Sequence, residues 1–348
     1  MAVKKRRVTS ADVAARAGVS RTTVSFVVNQ RKDAGIPADT WRRVEQAARE
    51  LGYHPSAPAR ALAGSSTGMI GLIVRQSADQ IAADALVAET LWGISSATRE
   101  AGYRVLVETL DPVNGHYSDL VLSGRVDGLI VSGPRADDEE VGALVADDFP
   151  IVVQGSLPGV PVASVDVDNR AGARSAVEHL LELGHTRIGC ITNAPLAHTA
   201  ATERLAGYRE ALDAAGIPPD PRRIAEGDFD SASGHKVMAH LLDAAPDMTA
   251  CFVASDVVAL GALATLRERR RRVPEDLAVI GFDDIPLARH FVPALSTVRL
   301  PARALGVAAG QALLRRLAGQ PAEDRTILAT ELVVRESTMG PRIEPGGT

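Results

Sequence analysis

From residue 68 onward, the chain alternates short, continuously apolar runs with longer amphipathic or alanine-rich segments. Four runs come first, at 69–74 (MIGLIV), 103–108 (YRVLVE), 128–133 (GLIVSG) and 150–155 (PIVVQG). Four more follow, at 187–192 (RIGCIT), 223–229 (RIAEGDF), 250–255 (ACFVAS) and 277–282 (LAVIGF). Runs that are apolar throughout are typical of parallel strands covered on both faces. With helical segments between them, the two sets predict βαβ units and two doubly wound α/β subdomains.

The first fifty residues have a different, helical pattern. Thr9 and Asp12 form a variant of the capping box that opens a first helix, which Gly18 closes. Ser20 is the expected N-cap of a second helix, which ends near Asn29. Only Gly18, Val19 and the cap Ser20 lie between the two helices. This short connection predicts a helix-turn-helix, whose second helix enters the major groove of DNA.

A third helix is predicted from about residue 37 to residue 51, closed by Gly52. Apolar residues at helical spacing on the three helices predict a small shared core. These residues are Val13, Ala14, Ala17, Val24, Val27, Val28, Trp41, Val44, Ala48 and Leu51.

Charge is distributed unevenly along the chain. The formal net charge of −5 divides into +7 for residues 1–63 and −12 for the remainder. The 348 residues are otherwise of ordinary globular composition, with 46% hydrophobic and 23% charged residues. A basic first segment on an acidic body indicates nucleic-acid binding by that segment, although a merely solvated basic surface is the alternative.

The sequence has no feature of a membrane or exported protein. No apolar run approaches the roughly 18 residues that a membrane span needs, and the basic MAVKKRR is followed by polar residues instead of the apolar core of a signal peptide. We therefore expect a cytoplasmic protein. Cys190 and Cys251 lie in apolar runs outside any ligand spacing and are expected to be buried, reduced thiols. The eight histidines form no metal motif, so neither a metal nor a cofactor is expected.

Two stretches, ADVAARAGVSRTTVSFVVNQ and ARELGYHPSAPARALA, occur together at a distinctive spacing. They resemble the lactose-repressor (LacI/GalR) family of bacterial transcription regulators, and the resemblance covers essentially the full chain. It implies an α helix-turn-helix head (1–53), a hinge helix or linker (54–67), an α/β periplasmic-binding-protein-like core of two doubly wound parallel-sheet subdomains (68–342) and a tail (343–348). It also implies three crossings between subdomains, with subdomain one at about 68–164 and 297–329 and subdomain two at about 165–296 and 330–342.

The exposed start of the second helix carries the main DNA-contact candidates. Arg21 can bond to guanine or to phosphate, unless it is only a solvated surface arginine, and Thr22 can bond to a base edge or to phosphate. Some relatives carry arginine where this chain has Phe26, whose ring could touch a thymine methyl group or pack against the head. The full set of predicted DNA contacts is Thr9, Ser20, Arg21, Thr22, Thr23, Ser25, Phe26, Asn29, Tyr53, His54, Ala59, Arg60 and Leu62.

The segment HPSAPARALAG, from His54 to Gly64, is too short to form a stable helix alone, because helix nucleation is costly. Ser56 can cap it and Pro58 would then lie in the first turn, where proline is tolerated. The resemblance implies a hinge helix that folds on operator DNA and pairs with its twin across a dimer axis. Leu62 would insert into the minor groove, and the neighbouring alanines would let the two helices approach closely.

Ligands of open parallel sheets bind beyond the carboxyl ends of the strands, so a small-molecule site is expected in a cleft between the subdomains. Ser255 and Asp283 follow predicted strands, Phe229 is placed at a strand end, and Arg204 lies near the start of a helix. Taken singly, Arg204 and Asp283 could be helix caps or surface ions and Phe229 a core residue, whereas the resemblance implies that all three contact an effector. Arg75 is a further candidate at the rim.

Three positions depart from the pattern of the family: Ser255 stands where some sugar-responsive relatives have asparagine, Val257 where a polar contact can occur, and Gly155 where many relatives have aspartate. A sugar or sugar-like polyol is the first expectation for the effector, with a nucleobase or another metabolite as the alternative.

The sequence contains none of the motifs GxGxxG, GxxxxGK[ST] or GxSxG, so we do not expect an enzyme. The leading interpretation is an effector-controlled, sequence-specific DNA-binding regulator that represses carbohydrate-related genes. The alternative is a small-molecule-binding protein without operator-specific function. One helix-turn-helix reads only a few base pairs, so a homodimer on near-palindromic double-stranded DNA is expected. The segment LWGISSATREAG is a candidate interface helix, with a helix that only covers the sheet as an equal alternative. No heptad repeat follows STMGPRIEPGGT, so a dimer is favoured over a tetramer held by a coiled coil.

Overall fold

The computed structural model describes residues 8–28, 31, 34–53, 66–110, 116–321 and 324–339. Internal contacts divide the chain into two compact units, a head (1–69) and a core (70–348). The predicted DNA contacts Asn29, His54, Ala59, Arg60 and Leu62 lie outside the described residues, as does most of the predicted hinge.

In the part of the head that the structure describes there are three helices, α1 (Ser10–Ala17), α2 (Arg21–Val28) and α3 (Ala38–Leu51). The predicted capping box is present, since the Thr9 hydroxyl accepts the Asp12 N–H and the Asp12 carboxylate accepts the Thr9 N–H at 2.8 Å. Gly18 closes α1 in the left-handed conformation, with φ of 66°. The Ser20 hydroxyl accepts the Thr23 N–H at 3.0 Å, which confirms its role at the start of α2.

The three helices share one small apolar core, as predicted. Val13, Val24, Val27 and Val44 are almost completely buried, and Trp41 packs against them from the side. Ala47 is also buried, a position that the sequence pattern did not select. The head therefore depends on few large side chains, which is possible because small alanines let the helices approach closely.

The core is an α/β unit with twelve strands among its described residues. The strands are β1 (Met69–Val74), β2 (Arg104–Thr109), β3 (Gly128–Ser132), β4 (Ile151–Gln154), β5 (Ala163–Val167), β6 (Ile188–Ile191), β7 (Ile224–Ala225), β8 (Ala250–Val253), β9 (Ala278–Ile280), β10 (Thr297–Arg299), β11 (Arg325–Leu328) and β12 (Glu331–Val333). The helices are α4 (Ala78–Ala83), α5 (Ala85–Thr98), α6 (Ser118–Leu122), α7 (Glu139–Ala146), α8 (Asn169–Glu182), α9 (Thr199–Ala214), α10 (Ser231–Ala244), α11 (Asp256–Glu268) and α12 (Ala302–Leu317).

Two sheets organise these elements into two subdomains. The first has six strands in the order β11-β5-β4-β3-β1-β2, and the second has four in the order β7-β6-β8-β9. Pairing is parallel from β11 to β1 and throughout the second sheet. A separate antiparallel pair, β10 with β12, lies in the chain segments that pass between the subdomains. The predicted class of two parallel-sheet subdomains is therefore correct.

The strand predictions failed at one predicted run, 223–229, and at four strands that were not predicted, β5, β10, β11 and β12. Within the run 223–229 only β7 is a strand, and Phe229 lies in a bend with φ of 60°, not at a strand end. The strand β5 was not predicted because its sequence, ASVDV, alternates with polar residues instead of being continuously apolar. The expected subdomain boundary at 164/165 falls inside β5, all of which belongs to the six-stranded sheet.

Helices cover the sheets in close pairs. At the crossing of α10 and α11, Gly261 lies against the backbone of Ser231 and His235 on the neighbouring helix.

Cys190 and Cys251 are buried and free, as predicted, and burial raises the pKa of the Cys251 thiol to about 12. None of the described helices combines the length and the apolar character that crossing a bilayer requires.

Candidate effector cleft and DNA-binding surface

The start of α2 presents the head's candidate DNA-binding surface. Arg21 and Thr22 are exposed at the first turn, whereas Ser25 and Phe26 are half-buried one turn later. Ser20 and Thr23 bond to each other through their hydroxyls at 2.9 Å, so part of their hydrogen-bonding capacity is used in the cap. Thr9 is exposed and Tyr53 is half-buried. These positions are compatible with contact to DNA, but the contacts stay predictions.

Phe26 provides a test of how this surface reads DNA. Its ring is half-buried, is not among the side chains of the head core, and has the Arg31 guanidinium 6.0 Å from its centroid. We expect Phe26→Arg to change the preferred operator sequence, because arginine can bond to guanine, while changing the free energy of unfolding by less than about 1 kcal/mol. Selection of bound DNA and thermal unfolding measure the two effects. Equal loss of binding on all sequences with a lowered melting temperature would instead identify Phe26 as a core residue.

In the core, a cavity of about 140 Å³ lies between the two sheets, beyond the carboxyl ends of their strands. All five effector-binding candidates line it, namely Arg75, Arg204, Phe229, Ser255 and Asp283. The cavity is also lined by the three residues that depart from the pattern of relatives, Gly155, Ser255 and Val257. The structure thus brings all five candidates to one cavity, while their contact with an effector stays a prediction.

Arg204 is the centre of the cavity's polar network. Its side chain is buried, with 5% of the residue exposed, and it projects from α9. Its Nε donates to Asn169 Oδ1 at 2.8 Å, and its Nη1 donates to the Ala254 carbonyl at 2.6 Å and to Asp283 Oδ1 at 3.3 Å. The guanidinium also lies 3.8 Å from the centroid of the Phe282 ring. These contacts fix the guanidinium in one orientation, which is a requirement for directional recognition.

Asp283 is held in an unusual conformation beside Arg204. Its φ of 113° is rarely adopted by a residue with a side chain, and its N–H donates to the Val298 carbonyl at 2.7 Å. Burial raises the pKa of Asp283, although Arg204 and a hydrogen bond from Ser255 oppose that shift. Strained backbone at a ligand site is a common feature of pre-organised binding sites.

Other carboxylates share the cavity wall. Burial raises the pKa of Asp166 to about 6 and also raises the pKa of Asp84. Arg75 contributes little free positive charge, since its Nε lies 3.2 Å from Asp138 Oδ2 and its guanidinium lies 5.4 Å from the centroid of the Tyr117 ring. The cavity is therefore richer in acceptors and negative charge than in donors and positive charge.

Three buried amide oxygens strengthen this bias. Gln76 Oε1, Gln154 Oε1 and Asn193 Oδ1 have no hydrogen-bond partner among the described residues, and all three residues line the cavity. A buried acceptor without a donor is costly, so a ligand that supplies hydroxyl groups would stabilise all three. Sequence reasoning missed these residues together with Asp84, Asp166 and Asn169. The signal was available for Gln76, Gln154 and Asn193, because each lies at or just beyond the carboxyl end of a strand.

Phe229 supplies the aromatic part of the wall. Its N–H donates to the Asn193 carbonyl at 2.8 Å, and its ring meets the edge of the His198 ring with centroids 4.9 Å apart. Leu86, Val87 and Val257 add apolar surface. A ring with one apolar face and several hydroxyl groups matches this combination of aromatic and acceptor groups.

Comparison with known proteins agrees with both units. A model described as bacterial regulatory proteins of the lacI family matches residues 9–56, and a periplasmic binding protein-like domain matches residues 177–338. The HTH-type transcriptional regulator CelR of Thermobifida fusca is 39% identical over 340 residues, covering 96% of this chain and 99% of CelR.

Solved structures show the same similarity. A complex of the regulator CelR with cellobiose has a TM-score of 0.74 at 37% identity, covering 95% of this chain and 100% of that chain. A lac repressor dimer bound to operator and the anti-inducer ONPF has a TM-score of 0.81 at 32% identity, covering 96% and 99% of the two chains. With its helix-turn-helix head and periplasmic-binding-protein-like core, the chain belongs to the lacI family of bacterial transcriptional regulators.

Proposed function

We propose that the protein is an effector-controlled repressor that binds a near-palindromic operator as a homodimer in the cytoplasm. The observation that carries the proposal is the acceptor-rich cavity of the core in a chain that also has a helix-turn-helix head. A ligand can alter DNA binding only through different affinities for two conformations, and a cleft between two subdomains provides such conformations.

A neutral sugar is the effector class that the cavity fits best. Unpartnered amide oxygens and buried carboxylates accept hydroxyl protons, Arg204 donates, and Phe229 offers an aromatic face. The complex of CelR with cellobiose supports the same class. Among the described residues, Arg75 pairs with Asp138 and Arg204 with Asp283, whereas Asp84 and Asp166 form no ion pair. These two carboxylates would therefore repel a phosphorylated or carboxylated sugar.

A dimer is supported by the physics of DNA reading, since two heads on one operator provide the specificity that one lacks. The predicted interface segment corresponds to the second half of α5 and the residues after it. Trp92 on this helix is 55% exposed, with the Arg303 guanidinium 4.7 Å from its ring centroid. An exposed tryptophan beside an arginine is typical of protein interfaces.

The proposal is tested by selecting bound fragments from random double-stranded DNA and then adding sugars to the complex. We expect enrichment of a near-palindromic sequence, retardation in a gel shift at moderate salt, and a change in affinity with a neutral sugar, for which cellobiose is the first probe. Glucose 6-phosphate and glucuronate serve as matched charged probes beside glucose. If no sequence is enriched, the operator function is wrong and a small-molecule-binding protein without operator-specific function is the remaining interpretation.

A further inference from the structure

Two segments, one from each subdomain, are hydrogen-bonded to each other at the edge of the cavity. Residues 133–136 follow β3 of the six-stranded sheet, and residues 197–199 follow β6 of the four-stranded sheet. The Ala136 N–H donates to the Ala197 carbonyl at 2.8 Å, and the Thr199 N–H donates to the Pro134 carbonyl at 3.3 Å. Arg135 and His198 are paired as an antiparallel bridge. We call these two segments the latch.

His198 adds a side-chain contact to the latch. Its Nδ1 lies 3.2 Å from the Gly133 carbonyl, which can only accept, so Nδ1 carries the proton in this contact. The residue is buried, with 5% exposed, and burial lowers its pKa to about 4. The neutral His198 imidazole therefore adds a side-chain hydrogen bond between the two subdomains.

The same ring reaches the wall of the cavity. It forms a T-shaped contact with the Phe229 ring, at a centroid distance of 4.9 Å and an interplanar angle of 88°. Phe229 has a φ of 60° and its N–H is bonded to Asn193, so its backbone is tightly specified. The His198 ring therefore contacts both the Phe229 ring and, through Gly133, the opposite subdomain.

We propose that His198 is a positioning residue that couples the ring of Phe229 to the closed latch. A ligand that contacts the Phe229 ring then stabilises the closed latch. Because coupling between two sites is reciprocal, the closed latch also stabilises the ring position that binds the ligand. The inference rests on the proposed role of the cavity in effector binding. His198 is an additional residue for that role, since it contacts both Phe229 in the cavity wall and Gly133 in the opposite subdomain.

Hydrogen exchange of the full-length protein without ligand tests the coupling directly. Phe229→Leu removes the aromatic edge contact, although Phe229 is not part of the latch. We expect at least about a fivefold increase in exchange at the Ala136 and Thr199 amides, the lower end of typical coupling between sites. His198→Ala should produce an increase at least as large. His198→Asn, whose side-chain amide can still donate to the Gly133 carbonyl, should restore part of the protection in the latch.

Two matched variants control for general loosening of the core. Val257→Ala alters another residue of the cavity wall, and His185→Asn alters a buried histidine whose Nδ1 contacts Thr249 instead of the other subdomain. Both should leave exchange in the latch within about twofold of the native protein. Unchanged exchange in Phe229→Leu, or an equal increase in either control, would overturn the coupling.

A disulfide across the latch gives a second measurement. Arg135 and His198 form a non-hydrogen-bonded antiparallel pair, whose Cα atoms lie about 4.5 Å apart, within the range that disulfides accept. The oxidised Arg135→Cys/His198→Cys protein should bind the selected operator with an affinity that cellobiose, or another sugar active on the native protein, no longer changes. Reduction should restore only part of the change, because the reduced protein still lacks the His198 ring. Full restoration would overturn the role of His198.

A sugar response that survives oxidation would contradict the inference while leaving the operator function intact. Failure to select an operator would contradict the proposed function instead, and the exchange experiment would still decide whether His198 couples Phe229 to the latch.

Discussion

Arg204→Ala is expected to lower the free energy of unfolding of the core by about 3–5 kcal/mol, the usual effect of removing one partner from a buried ion pair. Asp283, which is buried, would lose the guanidinium that accompanies it. Asn169 Oδ1 and the Ala254 carbonyl would lose their donors as well. The loss follows from leaving these groups unpaired in a low-dielectric site.

The same change is expected to abolish the response of operator binding to the effector. The three acceptors that Arg204 bonds come from α8, from the end of β8 and from the loop after β9, so the guanidinium joins separate parts of the cavity wall. Arg204→Lys should not restore the response, because an ammonium group cannot reproduce the planar set of donors. Thermal unfolding and gel shifts with the active sugar measure the two effects.

Arg170→Ala is the matched control for this prediction. Arg170 lies on α8 of the same subdomain and pairs with Glu203 and Glu210, but these side chains are substantially exposed. Solvent screens such pairs, so the expected loss is no more than about 1 kcal/mol with the effector response retained. Comparable destabilisation by both substitutions would show that burial does not determine the contribution of Arg204.

Gly261→Ala is expected to destabilise the core by about 3 kcal/mol, at the upper end for an inserted methyl group. The added Cβ would overlap the Ser231 carbonyl oxygen and lie 2.6 Å from the His235 nitrogen. Both atoms belong to the backbone of α10, so no side chain can rotate away. The helices would have to separate, and the melting temperature should fall by roughly 2–4 °C for each kcal/mol lost.

Separation of α10 from α11 would also disturb the cavity. Phe229 lies just before α10, and Ser255 lies just before α11, so the distance between these helices sets the distance between the two side chains. Gly142→Ala is the control, since Gly142 lies in α7 and an added Cβ would have no neighbour within 4 Å. That substitution should stabilise the protein by about 0.5–1 kcal/mol through helix propensity. Similar melting temperatures for the two variants would mean that the helix crossing adapts at little cost.

Local sequence patterns predicted the larger elements well. The head helices follow from caps at Thr9 and Ser20 and from glycines that adopt left-handed conformations. Most core strands follow from continuous apolar runs, because both faces of a parallel sheet are covered. The pattern was ambiguous where a strand carries polar side chains into a cavity, as β5 does with Asp166, and where an apolar run continues into a loop, as before Phe229.

The cavity was predictable only in part. The rule that ligands bind beyond the carboxyl ends of strands identified Ser255 and Asp283, and applied fully it would also have identified Gln76 and Asn193. His198 could not be found in this way. Its importance arises from contacts with Gly133 and Phe229, which lie 65 and 31 positions away in sequence, and no local pattern encodes such proximity.

The edge strand β11 has a consequence for synthesis of the protein. It pairs with β5 although about 160 residues separate the two strands in the chain, and the whole of the four-stranded sheet is encoded between them. The six-stranded sheet therefore cannot be completed on the ribosome until residue 328 has emerged. A chain that stops before residue 325 would expose β5 as an unpaired edge, which is a template for aggregation. Nonsense mutations late in the gene should consequently yield insoluble chains instead of a regulator that merely lacks its last residues.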